Sequence, residues 1–134
     1  MSAAVRLILF VCRPGRLREL VLNDEERSVL ERWLELMRAE LDLESVWLYG
    51  SRARGEGSAP DSDIDLLVIT RGDRTRDRER AWRLIHRAAD DLHANPAPFV
   101  PHARDRDWLD QRRAARSFFI EEVDRDKVVL LGQT

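Results

Sequence analysis

The run Ser62-Asp63-Ile64-Asp65-Leu66-Leu67-Val68-Ile69-Thr70 constrains this chain more than any other. Ile64, Leu66, Leu67, Val68 and Ile69 are apolar and β-prone, so residues 63–70 read as a strand. Beyond Asp65 both parities are apolar, so both faces of this strand need cover. Such a strand belongs in the middle of a sheet with layers above and below. Two acids stand at its start. On a strand, residues two apart share a face, which aims Asp63 and Asp65 the same way with Cα atoms roughly 6.5–7 Å apart. Two like charges on an apolar strand are costly unless a cation offsets them. Mg²⁺ suits such a pair, because it takes hard oxygen ligands and is commonly held by one or two carboxylates plus substrate phosphates. The alternative is a solvated strand start capped by Ser62, and it leaves the neighbouring Gly50-Ser51 pair unexplained.

The elements around this strand alternate in type. Asn23 before Asp24-Glu25-Glu26 is an N-cap with an acidic first turn. Leu30, Trp33, Leu34, Met37 and Leu41 follow at helical spacing, which predicts a helix of about 17 residues with one buried stripe. Residues 45–49 read as a short buried strand. A second helix fits 76–94, with Ala81, Ile85, Ala88 and Leu92 along one side and Asn95-Pro96-Ala97-Pro98 ending it. Phe99-Val100 begins a third strand. A third helix fits 107–123, with Trp108, Ala115, Phe118 and Phe119 inward, and residues 128–131 form a last short strand. The fold class is therefore α/β (α+β), a small mixed sheet flanked by helices. One domain is expected over 1–134, with 1–22 as an N-terminal arm of uncertain structure and 5–12 as either a strand or part of that arm.

Gly50-Ser51 closes the strand at 45–49. A glycine there lets backbone approach a ligand closely. If Ser51 opens a short helix, its N–H groups and hydroxyl attract phosphate. Arg52 and Arg54 are either triphosphate contacts or exposed loop arginines. Gly55 lets the chain turn away through the turn-rich 55–62, which contains Gly57, Ser58 and Pro60. A phosphate cradle and a metal pair, separated by one loop, make a nucleoside triphosphate site.

The stretch Leu48-Tyr49-Gly50-Ser51-Arg52-Ala53-Arg54-Gly55, followed by Ser62-Asp63-Ile64-Asp65, resembles the minimal nucleotidyltransferases of the DNA polymerase β superfamily. Their signature is Gly-Ser, a few residues, Gly, then an Asp-x-Asp strand, and Gly50, Ser51, Gly55, Asp63 and Asp65 match it over 46–70. The resemblance implies a polymerase β-like fold and a Mg²⁺-dependent transfer of a nucleoside monophosphate from ATP or another triphosphate to a hydroxyl. Asp63 and Asp65 would be catalytic and metal-binding; Gly50, Ser51, Arg52, Arg54 and Gly55 would bind the nucleotide. It also implies a partner, since such proteins often pair with HEPN-domain proteins, as enzyme on toxin or as an antitoxin that acts by contact. One departure is plain. The family's active members usually carry a third carboxylate on the next strand, and Pro96-Ala97-Pro98-Phe99-Val100-Pro101 holds no acid. Asp90 and Asp91 precede that stretch, Asp105 and Asp107 follow it, and none stands in the expected register.

Composition sets the outer limits. The 23 basic and 25 acidic residues nearly cancel, so global charge does not indicate a nucleic-acid binder. Lys127 is the sole lysine; the arginines are spread along the chain, as a biased base composition would spread them. Cys12 alone permits neither an intrachain disulfide nor a cysteine metal cluster. Residues 5–11 are apolar but too few to span a membrane and lack a cleavage site, so a cytoplasmic protein is expected. Residues 71–80 alternate in charge and read as a solvated loop and helix face. His86, His93 and His102 show no metal spacing. Trp33, Trp47, Trp82 and Trp108 read as core or interface residues, and four tryptophans in so short a chain suggest a homodimer or hetero-complex.

Overall fold

The computed structural model describes residues 22–55 and 62–134. The expectations for 1–21, including the strand or arm at 5–12, and for the turn residues Gly57, Ser58 and Pro60 lie outside them. Helix α1 spans Asp24–Glu40 and starts at a reciprocal cap. The Glu26 amide donates to Asn23 Oδ1 at 2.7 Å, and the Asn23 amide donates to Glu26 Oε1 at 3.0 Å. Strand β1 (Leu43–Tyr49), the single turn α2 (Ser51–Arg54) and strand β2 (Ile64–Thr70) follow. Helix α3 (Arg74–Asp91) is capped by Asp73, whose side chain accepts from the Arg76 amide. Strand β3 runs Phe99–Asp105, then α4 (Arg106–Ala114), α5 (Phe118–Asp126) and β4 (Val128–Gly132).

The sheet order is β3-β2-β1-β4. β1 is antiparallel to both β2 and β4, and β2 is parallel to β3. β2 is therefore interior, as its apolar faces require. Its alternate residues divide between two cores. Ile64, Leu66 and Val68 join the larger one, with Leu30, Trp33, Leu34 and Met37 of α1 and Ala81, Ile85 and Ala88 of α3. The indole of Trp33 ties these helices together by donating to the Ala81 carbonyl at 3.1 Å. Leu67 and Ile69 join the smaller core, with Trp47, Leu109, Ile120 and Val123 under α4 and α5.

Two expectations are corrected, at 107–123 and at 71–80, and one is extended. The helix expected over 107–123 is two helices. The chain breaks at Arg116, which takes a left-handed φ of 53°, and Ser117 N-caps α5. The break resets the helical phase, so Ile120 and Val123 face the sheet, while Phe118 and Phe119 are 76% and 42% exposed and Ala115 is exposed. β3 extends five residues beyond Val100, to Asp105, because Pro101 and Ala103 alternate inward with Phe99. The solvated face expected at 71–80 contains one buried acid, Asp77, which accepts a hydrogen bond from the Thr70 hydroxyl at 2.6 Å. Among the described residues no helix is long and apolar enough to cross a membrane.

Candidate active site

The chain leaves β1 through Gly50, whose φ of 78° and ψ of −161° suit glycine alone. The amides of Ala53 and Arg54 donate back to the Gly50 carbonyl at 3.1 and 3.2 Å, closing α2 as a single turn. Ala53 is buried in the larger core and pins this turn to the fold. Gly55 ends it at a left-handed φ of 74°. The Gly50 backbone passes directly against Asp65: a methyl group built on Gly50 would stand 2.7 Å from Asp65 Oδ2. The two halves of the motif, fifteen positions apart, are thus in contact.

Asp65 starts the β2 face that carries the smaller core. Its cross-strand partner is Tyr49, and its parallel neighbour is Val100. Asp63 lies just outside the strand and is exposed. Burial raises the pKa of Asp65, the charge of Asp63 raises it further, and His102 pulls it back. Tyr49 is pushed up to about 12 by burial and then by Asp65, so its phenol stays neutral. His102 falls below its ordinary value, first through burial and then through the charge of Arg104, against an opposing pull from Asp65. The centre is therefore anionic and, at Asp65, partly desolvated, which favours a cation. Among the described residues no three of His, Cys, Asp and Glu gather closely enough to hold a metal ion. Two carboxylates with substrate phosphates completing the shell is a common Mg²⁺ arrangement, and Asp63 and Asp65 are near enough for their charges to interact.

The two arginines go to different places. Arg52 is 2% exposed and turned into the fold, away from the open face where a triphosphate contact was expected. Its guanidinium donates to Glu26 Oε1 and Oε2 at 2.9 and 3.2 Å, and to the Ser62 hydroxyl and carbonyl at 2.7 and 2.8 Å. It joins the cap of α1 to the residue before Asp63. Arg54 is exposed at the rim, with Asp126 3.8 Å away. A pocket of about 130 Å³ opens here between Gly50, Tyr49 and Arg54 on one side and Phe119, Glu122 and Val123 of α5 on the other.

A family model for the nucleotidyltransferase domain matches residues 27–130, well over half of the chain and the whole of the motif. The chain belongs to this nucleotidyltransferase family. The minimal nucleotidyltransferase resemblance of 46–70 thus extends through the flanking helices and strands. No match is found among curated proteins. A crystal structure of a candidate nucleotidyltransferase from Sulfolobus solfataricus is similar at 19% identity, over 96% of this chain and 86% of that one, with a TM-score of 0.40.

In this chain β3 is the strand on which the resemblance would put a third carboxylate. Alternation places Val100, His102 and Arg104 on the Asp65 face, and none is an acid. Sequence reasoning named only Phe99-Val100 for this strand and weighed His102 only as a metal ligand; its ring centroid lies 6.5 Å from that of Tyr49. It gave Tyr49, Glu26 and Ser62 no role in the site. The signal for Tyr49 and His102 was strand parity, once β1 and β3 are placed beside β2. Glu26 and Ser62 had no sequence signal as partners of Arg52.

Proposed function

We propose that this chain is a Mg²⁺-dependent nucleotidyltransferase that moves a nucleoside monophosphate from ATP to a hydroxyl acceptor. The observation that carries this reading is the contact between the Gly50 turn and the Asp65 carboxylate. A triphosphate held by the turn would lie beside the acidic pair. Asp63 and Asp65 would hold the cation. Bound there, Mg²⁺ would neutralise charge on the triphosphate and on the leaving pyrophosphate. The Ser51 hydroxyl and the backbone of the turn would hold phosphate oxygens, with Arg54 adding positive charge from the rim. In the transfer a bond forms between the acceptor oxygen and the α-phosphorus. The bond from that phosphorus to the pyrophosphate oxygen breaks, and the hydroxyl proton leaves to solvent. Positioning and fixed charge supply the rate.

We place the acceptor on a partner protein in the cytoplasm, a HEPN-domain toxin being the partner that the family resemblance implies. A second reading rests on the acid-free face of β3. Without a third carboxylate to take the acceptor's proton, the chain would neutralise such a partner by binding alone. Calorimetric titration of Mg·ATP, and then of the other nucleotides, into wild type and Asp65→Asn separates the two. Binding to wild type that is lost in the variant supports the transferase. Absence of nucleotide binding to wild type overturns it in favour of the binding role.

A further inference from the structure

The pocket beside Gly50 is not needed to hold phosphate, and its chemistry differs from that of the acidic pair. Its walls are two aromatic rings, Tyr49 and Phe119, 5.6 Å apart and edge to face at 89°. Phe119 in turn packs edge-on to Trp108, centroid to centroid at 6.4 Å. These contacts fix the Phe119 ring in orientation, yet the residue is 42% exposed although it is large and apolar. Its place follows from the break at Arg116, which turns Phe119 out of the smaller core and toward the mouth of the site. Gly50 lines this pocket and also touches Asp65, so the pocket is continuous with the phosphate turn. Tyr49, the cross-strand partner of Asp65, is the wall they share. The rim is polar and of both signs, with Arg54 on one side and Glu122 on the other.

We propose that this pocket receives the nucleobase of the donor nucleotide, that Phe119 is the surface on which the base stacks, and that Glu122 selects a base with an exocyclic amine. This rests on the nucleotidyltransferase reading and extends it to base selection. A triphosphate held at the Gly50 turn has its nucleoside end free to reach one neighbouring concave surface, and the described residues put an aromatic one there. Stacking on a fixed ring is strong for any base and strongest for the larger purines, while a carboxylate at the rim accepts from an amino group. The donor favoured is therefore a purine that carries an amino group, as adenine does, and uracil, which has no exocyclic amine, is disfavoured.

Titration with Mg·ATP, Mg·UTP and Mg·tripolyphosphate tests the base and the phosphates separately. Wild type should bind ATP on the order of tenfold more tightly than tripolyphosphate. Phe119→Ala should bring ATP down to the tripolyphosphate level without altering tripolyphosphate binding, and Phe119→Trp should restore the difference. Glu122→Gln should narrow the gap between ATP and UTP. Removing a partly exposed ring leaves the smaller core in place, and circular dichroism verifies that. If wild type binds ATP and tripolyphosphate equally, or Phe119→Ala keeps the preference for ATP, the base pocket is overturned while the phosphate site stands. If wild type binds neither, the transferase reading and the base pocket fall together.

Discussion

The two faces of β2 are made by the same seven residues and have opposite purposes. On one, Ile64, Leu66 and Val68 are fully buried against α1 and α3. On the other, Leu67 and Ile69 are buried under α4 and α5, but Asp65 begins the row and is only half-buried. The first face is a core along its whole length. The second is a core at one end and a site at the other. At that end α5 meets the sheet through Ile120 and Val123 and leaves a pocket between Phe119, Glu122 and the Gly50 turn. The first face thus buries the larger core, and the second joins a smaller core to the partly buried charge of Asp65.

The sharpest way to break this contrast is to damage the first face. Trp33→Ala removes a fully buried indole and the bond to the Ala81 carbonyl that joins α1 to α3. It should cost about 3–5 kcal/mol, a large share of a typical domain's total. Urea denaturation should show a strongly lowered midpoint; an unchanged midpoint would mean that the larger core does not hold the fold.

Arg52 links the two regions, and its loss ranks close behind. Its pair with Glu26 is almost fully enclosed, and removing one partner strands the other charge. Arg52→Ala should destabilise by about 3–5 kcal/mol. Burial acts to raise the pKa of Glu26, but the Arg52 hydrogen bonds, the Asn23 amide and the Arg52 charge together hold it below its ordinary value. A lowered carboxylate pKa stabilises the fold above the ordinary carboxylate range, and that contribution is lost as pH falls through the folded-state value. The gap between wild type and Arg52→Ala should accordingly shrink in acid. A gap that stayed constant into strong acid would remove the charge pair as its cause.

Gly50→Ala moves to the open face. The backbone there takes a conformation nearly restricted to glycine, which predicts a loss of about 1–3 kcal/mol. The added methyl would press on Asp65 Oδ2 at 2.7 Å, so affinity for the proposed Mg²⁺ should fall along with stability. Retained cation affinity in a folded Gly50→Ala protein would separate the turn from the acidic pair.

These effects follow the line between what was readable in the sequence and what was not. The helical stripe Leu30, Trp33, Leu34, Met37 and Leu41 and the strand at 63–70 were legible because burial on one face, or on both, leaves a period in the residues. The motif Gly50-Ser51 with Asp63 and Asp65 was legible because those residue types are unusual beside apolar strands. The break at 115–117 was not, since no glycine or proline marks it and the left-handed residue is an arginine. Without the break, Phe118 and Phe119 look like core. The inward turn of Arg52 was not legible either. Its partners Glu26 and Ser62 are 26 and 10 positions away, and only the packing of α1 beside α2 brings them together.

Asp65→Asn should have the smallest effect on stability, with its sign reversed. The pKa of Asp65 is raised by burial and by Asp63, so its ionised form is disfavoured in the folded chain. A raised carboxylate pKa contributes stability that is present below the unfolded value and lost as pH rises through the folded one. At neutral pH and without a cation, the asparagine variant should therefore melt at or slightly above wild type. The difference should vanish on acidification below the ordinary carboxylate range, where the Asp65 carboxyl of wild type is protonated both folded and unfolded. Mg²⁺ should reverse the order by stabilising wild type alone, in proportion to binding. Under the proposed function, transfer activity should fall by more than about 100-fold, because the cation would lose one of its two proposed carboxylate ligands. Thermal melts of both proteins across pH, with and without Mg²⁺, distinguish a site charge from a structural one. If Asp65→Asn melted well below wild type in the absence of any cation, Asp65 would belong to the fold's own hydrogen bonding, and the two faces of β2 would be alike after all.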